Sequence, residues 1–349
     1  MSYKSFDLLK KLYFVRTSGS KEEFEACNII ANEARNLGAD KVEIEEFDVD
    51  GVTINQASLS FSNPSIEVNC EGVGLSGSTN DEGITGEFIY VPSLEDAKCQ
   101  DVENKICMIH GKMPPYKIYQ YLVKNKALGI ITTTGSVYKD EKDVDLDPYN
   151  LRERHKTEGA VPTVCIRMKD AENIIRAMPK KATIILKQDN YINKSHNVIA
   201  TINGTRKSNE VVCFSAHYDS VSFSKGAYDN ATGSTGIMQI LDYFIKNKPS
   251  RTLKFIWCGS EEIGLNGSKD YVNKHKDELD NYRLNINIDM IGVTLGFDIA
   301  RVTGEMGLVD YIRYIGNING FPINVKQGVY SSDSTPFADN GVPEIHHPN

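Results

Sequence analysis

The sequence lacks the features that mark several common classes of protein. Its seven cysteines include no C-x-x-C pair, which excludes a cysteine-based zinc knuckle and argues against a disulfide framework. It has no dense block of lysine and arginine, and its formal net charge is −8, so no nucleic-acid partner is expected. No apolar run approaches the length of a transmembrane helix, so no membrane partner is expected either.

The N-terminus contains neither a long apolar stretch nor a small-residue cleavage site, and no signal peptide is predicted. Together with the scattered cysteines, this favours a cytoplasmic protein whose thiols are reduced and buried. A chain of 349 residues exceeds one minimal domain and predicts two domains, or one large fold with an insertion. The sequence pattern does not indicate an oligomeric state.

Strands and helices alternate near both ends of the chain. Ser20 and Glu23 form an S-x-x-E capping box, ahead of a helical periodicity that ends at Gly38. The alternation resumes after residue 190, with strands at 197–202, 211–215, 253–257 and 285–289 and helices near 233–246 and 266–279. This order predicts an α/β fold with a mixed, largely parallel sheet flanked by helices.

Residues 55–190 have a different pattern of apolar and turn-forming residues. Short strand-like runs are separated by turn signals, with one helix near 115–126 and a long polar loop over 134–156. The segment contains no catalytic constellation. It therefore predicts a β-rich inserted domain at 55–190, which interrupts a discontinuous catalytic domain made of residues 1–54 and 191–349.

Two polar sites follow the strand at 211–215, in the position where α/β sheets hold their ligands. The first is AHYDS, in which His217 and Asp219 point the same way in an extended chain. Asp219 could orient a metal-binding His217, although a structural His–Asp pair is the plainer interpretation. The second is GAYDNATG, where Asp229 is either a functional carboxylate or the N-cap of the next helix.

Two further sites follow later strands. Glu261 and Glu262 end an apolar strand at the start of a glycine-rich turn, where adjacent carboxylates are costly unless a cation or solvent compensates them. A divalent metal would allow one to bind and the other to accept a proton from water. Asp289 closes a predicted buried strand and needs either a salt-bridge partner or a metal.

Taken together, these sites supply one imidazole and three carboxylates: His217, Asp229, Glu262 and Asp289. Such a set suits two zinc ions that share a bridging aspartate. The sequence contains no H-E-x-x-H, no G-x-S-x-G and no phosphate-binding loop, which excludes the chemistries that those motifs mark.

The ordered motifs AHYDS, YDNATG, GSEEIGLNGS and NIDMIG resemble the M28 family of zinc metallopeptidases, chiefly its aminopeptidases. The N-terminal FVRTSGSKEEF is also similar to that family, and residues 55–190 resemble the protease-associated (PA) domain that many members carry. The resemblance implies that His217 and Asp289 hold one zinc, that Glu262 holds the other, and that Asp229 bridges both.

The same resemblance implies a hydrolytic mechanism on a peptide substrate. Glu261 would be the general base that takes a proton from a metal-activated water and returns it to the leaving amine, and Asp219 would orient His217. The free N-terminal amine of the peptide would lie near the acidic groups of the metal centre. The expected activity is zinc-dependent removal of N-terminal residues from peptides.

The sequence departs from the family pattern at the C-terminus. The family has a second ligand histidine well after a segment like 332–343, whereas here His346 and His347 come soon after that segment, within the last four residues. The preferred interpretation is a truncated or altered C-terminus, and the alternative is that His346 reaches the second zinc. Two ions are expected from the family pattern, and one if this ligand is absent.

Two other functions remain open from the sequence. One is a single-zinc glutaminyl cyclase on the same scaffold, and the other is a catalytically impaired binding homologue without the second histidine. The GSEEIGLNGS run and Asp229 favour the peptidase. The sequence does not indicate the preferred substrate residue, or whether carboxypeptidase or dipeptidase action replaces aminopeptidase action.

Overall fold

The structure is a computed structural model that describes residues 5–138, 146, 148–293, 296 and 299–347. It divides the chain into two compact units, Met1–Val49 with Ile192–Asn349, and Asp50–Tyr191. We call the first the catalytic unit and the second the inserted unit. The expected boundaries lie a few residues from these because two long strands, Lys41–Ser62 and Lys181–Ile202, run through the divisions.

The elements are numbered in chain order. The strands are β1 Lys41–Ser62, β2 Ile66–Val68, β3 Glu71–Gly74, β4 Ile84–Tyr90, β5 Lys105–Met108, β6 Gly129–Thr134, β7 Tyr149–Asn150, β8 Thr163–Arg167, β9 Lys181–Ile202, β10 Lys207–His217, β11 Arg251–Cys258, β12 Tyr282–Ile288, β13 Ile299–Thr303, β14 Asn324–Gln327 and β15 Glu344–His347. The helices are α1 Ser5–Lys11, α2 Lys21–Leu37, α3 Leu94–Cys99, α4 Tyr116–Lys124, α5 Glu153–Lys156, α6 Met168–Ala177, α7 Thr232–Lys246, α8 Asn266–Lys274, α9 Met306–Ile318 and α10 Thr335–Asp339.

The catalytic unit is built on a mixed sheet with strand order β14-β13-β15-β12-β10-β11-β9. The central strands β11, β10, β12 and β15 run parallel to one another. On either side of them, β9 pairs antiparallel with β11 and β13 pairs antiparallel with β15. Because parallel strands share a direction, their carboxyl ends meet at one edge of the sheet. The predicted mixed, largely parallel sheet flanked by helices is confirmed.

Helix α2 shows how local sequence directs this unit. It begins after Ser20, whose hydroxyl accepts a hydrogen bond from the Glu23 amide at 3.0 Å, and it ends at Gly38 with a φ of 98°. The predicted capping box and C-terminal glycine are therefore confirmed. The inner face of the helix packs into a core that includes Ile30, Phe255 and Trp257.

In the inserted unit the strand order is β9-β4-β5-β6-β8-β3-β7. Strands β4, β5, β6 and β8 are parallel, and α4 lies within the predicted 115–126 helix. The segment predicted as one long loop contains β7 and α5, while residues 139–145 and 147 lie outside the described residues. The likeness of this unit to a PA domain stays a prediction.

Two further sequence expectations concern cysteines and membranes. None of the seven cysteines forms a disulfide, and most of them are buried. Among the described helices, none has both the length and the apolar character that crossing a bilayer requires.

The helix predicted over 266–279 is shorter than expected: α8 ends at Lys274, and a 3₁₀ turn follows over Lys276–Asn281.

Gly233, in the first turn of α7, is a position where the fold tolerates no side chain. A Cβ atom there would overlap the Ile288 carbonyl and the side-chain amide of Asn230. Gly307 in α9 provides a contrast, since a Cβ atom there meets no atom within 4 Å. Both glycines lie within helices, so the two positions separate steric effects from helix propensity.

We predict opposite effects for Gly233→Ala and Gly307→Ala. Overpacking at Gly233 should lower the free energy of unfolding by about 1–3 kcal/mol, whereas Gly307→Ala should raise it by about 0.4–1 kcal/mol by restricting the unfolded chain. Urea unfolding followed by fluorescence of Trp257, the single tryptophan, measures both. Equal midpoints for the two variants would contradict the steric explanation.

Candidate metal centre

The predicted site residues meet at the carboxyl ends of three neighbouring strands. His217 is the last residue of β10, Glu261 and Glu262 follow the end of β11, and Asp289 follows the end of β12. Since β10 lies between β11 and β12, His217 is the central side chain of the group. Asp289 was expected inside its strand but lies one residue beyond it, where its carboxylate can turn toward the site.

His217 is a buried imidazole surrounded by carboxylates. Its Nε2 lies 3.1 Å from Oδ1 of Asp229 and 3.5 Å from Oδ1 of Asp289. Its Nδ1 lies 3.4 Å from Oδ1 of Asp219. One nitrogen thus faces two candidate metal ligands while the other faces the carboxylate that was predicted to orient the ring.

Asp229 reaches the site from the turn between β10 and α7. Its backbone is non-helical, and Ala231 occupies the N-cap position of α7, so the N-cap alternative for Asp229 is wrong. The side chain is about half exposed, with 47% of its surface accessible. Asp229 is therefore the acidic group most open to an incoming substrate among the three that contact His217.

Asn230 ties this turn to the end of β12. Its Nδ2 donates to the Ile288 carbonyl at 3.0 Å, and its Oδ1 accepts from the amides of Gly233 and Met290 at 2.9 and 3.1 Å. These bonds fix the distance between the residues that flank them, Asp229 and Asp289. The sequence analysis missed this role, and only the adjacency of Asn230 to Asp229 could have suggested it.

Asp219 has a second function that the sequence did not indicate. Its Oδ1 accepts a hydrogen bond from the Glu261 amide at 3.0 Å, and its Oδ2 accepts one from the Glu262 amide at 3.1 Å. The fully buried Asp219 carboxylate therefore contacts His217 and also anchors the backbone that carries both glutamates. Its negative charge is stabilised by these N–H groups, which reduces the cost of burying it.

Arg16 supports the segment between His217 and Asp229. It is fully buried, and its guanidinium donates to the Tyr218 carbonyl and to the carbonyls of Lys225 and Gly226 at 2.6 and 2.8 Å. Burial lowers the pKa of Arg16 to about 10, against the opposing field of the site carboxylates. The sequence analysis noted the segment around Arg16 but assigned it no role.

The site shifts the pKa of several titratable groups within it. Burial alone lowers the pKa of His217, but Glu261 and the nearby aspartates outweigh burial and raise this pKa well above its usual value. Burial raises the pKa of Glu261 well above its usual value and that of Glu262 to about 7. Burial and neighbouring carboxylates likewise raise the pKa of Asp333 to about 6.

Asp333 is a site residue that the sequence analysis missed. It is 1% exposed and contributes to the raised pKa of Glu261. It lies in the segment 332–343 that contributed to the family resemblance, but sequence alone gives an aspartate in a polar loop no reason to be buried.

These residues fit a divalent cation. Buried oxygens of Glu262 and Asp289 have no hydrogen-bond donor among the described residues, and such atoms are costly without a partner. Candidate ligand atoms lie within 4.8 Å of one another in two described groups, His217 with Asp229 and Asp289, and His217 with Glu261 and Glu262. Imidazole and carboxylate are ligands that zinc accepts.

Of the C-terminal histidines, His346 and His347, the first is not part of the groups of candidate ligands in the described part of the chain. His346 is buried on β15, its Nδ1 lies 3.0 Å from Nδ2 of Asn287, and its ring stacks on Tyr330 at 4.6 Å. The His347 side chain lies outside the described residues, so its expected role stays a prediction.

Comparison with known proteins identifies the family. The model of peptidase family M28 matches residues 197–349, the segment that carries His217, Asp229, Glu262 and Asp289. The match confirms the resemblance to peptidase family M28 that the motifs indicate. The chain is a hydrolase of the metallopeptidase class, as predicted.

Two curated relatives align with nearly the whole length of this chain. Bovine (Bos taurus) carboxypeptidase Q is 28% identical over 98% of this chain and 75% of its own, and aminopeptidase YwaD of Bacillus subtilis is 27% identical over 98% and 73%. Among solved structures, a zinc aminopeptidase from Bacillus subtilis has a TM-score of 0.77 and 25% identity, covering 99% of this chain and 84% of that one. An aminopeptidase from Aneurinibacillus sp. strain AM-1 has a TM-score of 0.80 and 23% identity over the same shares, which shows a common fold.

Cation binding should be coupled to proton release. Because the pKa of Glu262 is raised to about 7, part of its population is protonated near neutral pH and must lose that proton to bind a cation. Affinity for Zn²⁺ should therefore fall as the pH decreases through this pKa. Calorimetric titration in two buffers of different ionisation enthalpy measures the protons released, and a value of zero near neutral pH contradicts the prediction.

Proposed function

We propose that this protein is a zinc-dependent aminopeptidase that uses Glu261 as its general base. The observation that supports this most strongly is the convergence of five carboxylates on one buried imidazole, His217. A water-exposed acidic turn, the plainer interpretation of Glu261 and Glu262, would not bury carboxylate oxygens without donors. A purely structural His–Asp pair would need only one of these carboxylates.

The proposed ligands are drawn from two groups of candidate atoms, His217 with Asp229 and Asp289, and His217 with Glu261 and Glu262. Following the family resemblance, His217 and Asp289 would hold one zinc ion, Glu262 would hold a second, and Asp229 would bridge the two. When bound, zinc supplies Lewis-acid polarisation of the scissile carbonyl and lowers the pKa of water so that hydroxide is available near neutral pH. The proposal of two ions rather than one rests on the number and spread of these carboxylates.

The position of Glu261 supports a role in proton transfer. It lies beside His217 and next to Glu262 in the chain, and its backbone amide donates to Asp219. We assign its carboxylate to accept a proton from the attacking water and to return it to the amine that leaves. Burial raises the pKa of this carboxyl well above that of an exposed glutamate, which makes it a better proton acceptor.

Charge supports aminopeptidase action. The site collects several carboxylates, and the half-exposed Asp229 presents one of them outward. An α-ammonium group on a substrate is attracted by this field, whereas a substrate's terminal carboxylate is repelled. The names of aminopeptidase YwaD and of the zinc aminopeptidase from Bacillus subtilis are consistent with this proposal.

Carboxypeptidase action is the second candidate, because bovine carboxypeptidase Q is also a relative. That activity requires a cation positioned for the substrate's terminal carboxylate, and Arg16 is buried and engaged with backbone carbonyls. A glutaminyl cyclase is not favoured, since the relatives that align over nearly the whole chain are peptidases. A binding homologue is distinguished by whether the zinc-loaded protein hydrolyses peptides.

We expect Glu261→Gln to lower kcat by about 10²–10⁴-fold, because the amide cannot accept the proton. Its zinc content should remain that of the wild type, since the amide conserves shape and the proposed ligands are retained. Glu262→Gln is the matched variant and should instead lose zinc. Hydrolysis of an amino-acid anilide and metal analysis of both proteins distinguish the roles, and a Glu261→Gln enzyme with wild-type kcat excludes Glu261 as the base.

We also expect cleavage to require a free substrate amine. A peptide with a free N-terminus should lose its first residue, whereas the N-acetylated peptide, which lacks the cation, should be cleaved at least about 100-fold more slowly, as loss of a charged contact predicts. Amidation of the C-terminus should have little effect. Mass spectrometry of the products identifies the bond cut, and release of the C-terminal residue supports carboxypeptidase action instead.

A further inference from the structure

The turn that carries the two glutamates is bound by two carboxylates from elsewhere in the chain. Three consecutive backbone amides, those of Ser260, Glu261 and Glu262, donate to buried acidic side chains. Asp219 accepts the last two, and Glu23 accepts the first at 2.9 Å. Successive backbone amides can bind anionic groups, and here two carboxylates of the same chain accept these three hydrogen bonds.

Glu23 reaches this turn from the first turn of α2, far away in the sequence. Its side chain is fully buried. Oε1 accepts from the Ser260 amide, from the Ser260 hydroxyl at 3.1 Å and from the Ser195 hydroxyl at 2.9 Å, while Oε2 accepts from the Gly19 amide at 2.7 Å. Four donors satisfy both oxygens, which is the arrangement that a buried carboxylate requires.

A helix cap alone does not account for these bonds. In an S-x-x-E capping box the glutamate needs only to reach back to the start of its own helix, and here the Gly19 bond performs that task. The three bonds on Oε1 go instead to other parts of the catalytic unit. One oxygen of Glu23 therefore serves the helix and the other serves the turn after β11.

The turn needs such support because its backbone is strained. Ser260 has a φ of 56°, in the left-handed region that residues with a Cβ atom rarely adopt. On its other side the turn is packed closely, since a Cβ atom at Gly259 would lie 2.6 Å from the His196 carbonyl and from the Ser195 hydroxyl. A donor–acceptor bond at Ser260 holds this conformation immediately before Glu261.

We propose that Glu23 is a positioning residue for the proton-transfer turn, acting through Ser260 to fix the carboxylates of Glu261 and Glu262. It complements Asp219, which holds the same turn by the next two amides. This inference deepens the proposed function and rests on it for the assignment of Glu261 as base. The hydrogen bonds themselves, and their effect on the turn, do not depend on that assignment.

The test compares Glu23→Gln with Ser20→Ala in the full-length protein. Gln conserves the shape of Glu23 but places an amide N–H₂ where one oxygen accepted a hydrogen bond. Ser20→Ala removes the other half of the capping box, the bond from the Glu23 amide, and leaves the Ser260 contacts in place. Both variants weaken the same helix end, so a difference between them measures the effect of Glu23 on the turn that carries Glu261 and Glu262.

Two measurements are made on each variant. Hydrogen–deuterium exchange of a peptide spanning residues 257–265 should accelerate by at least about tenfold in Glu23→Gln and remain at the wild-type rate in Ser20→Ala, since exchange reports local opening. For the zinc-loaded enzymes, kcat on an amino-acid anilide should fall by about 10–100-fold in Glu23→Gln with KM within about twofold, because a misplaced catalytic group affects the reaction step. Ser20→Ala should retain wild-type kcat.

The outcomes separate this proposal from the proposed function. Wild-type exchange at 257–265 in Glu23→Gln overturns the positioning role, as does equal acceleration in both variants. If the wild-type protein hydrolyses no peptide, the exchange result still decides whether Glu23 holds the turn. Should Glu23→Gln fail to fold, Ser260→Ala, which removes one of the Oε1 bonds, should show smaller but localised acceleration, and its absence also overturns the proposal.

Discussion

His217 is buried among carboxylates, and the rest of the catalytic unit depends on how that concentration of charge is arranged. Like charges at this density repel one another in a medium of low dielectric, so each acidic group needs a compensating partner. Asp219 has two backbone amides, Glu23 has an amide at each oxygen, and a bound cation would serve the others. The raised pKa of Glu261 and of Glu262 expresses the same constraint, because burial and neighbouring carboxylates disfavour the charged form.

The sheet places these charges together, and a few buried polar side chains keep them at defined positions. The parallel strands β10, β11 and β12 end at one edge, so three chain segments far apart in sequence contribute to one site. Asn230 links the turn of Asp229 to the end of β12, and Arg16 holds the segment in between through backbone carbonyls. Rigid support of this kind favours catalysis because the reacting groups lose little freedom at the moment of reaction.

Much of this site could be predicted from the sequence because the end of a buried strand is recognisable as an apolar run followed by polar residues. His217 and Glu261 each follow an apolar run, and ligands in α/β sheets gather where such runs end. The interpretation of Asp229 was harder, since an aspartate in a glycine-flanked turn is as typical of an N-cap as of a ligand. Asp333 and Asn230 could not be identified at all, because neither residue type nor spacing distinguishes a buried polar group from one in a surface loop.

The sequence by itself determined the α/β class, the capping of α2, the family and the residues at the strand ends, because all of these are local patterns of polarity and spacing. Only the tertiary structure decided which of those residues share one cluster and what holds them there. Glu23 and Ser260 meet across 237 positions of chain, and no local pattern encodes a contact over that separation. The packing of α2 against the core beside β11 brings them together, and that packing is set by the whole catalytic unit rather than by any one segment.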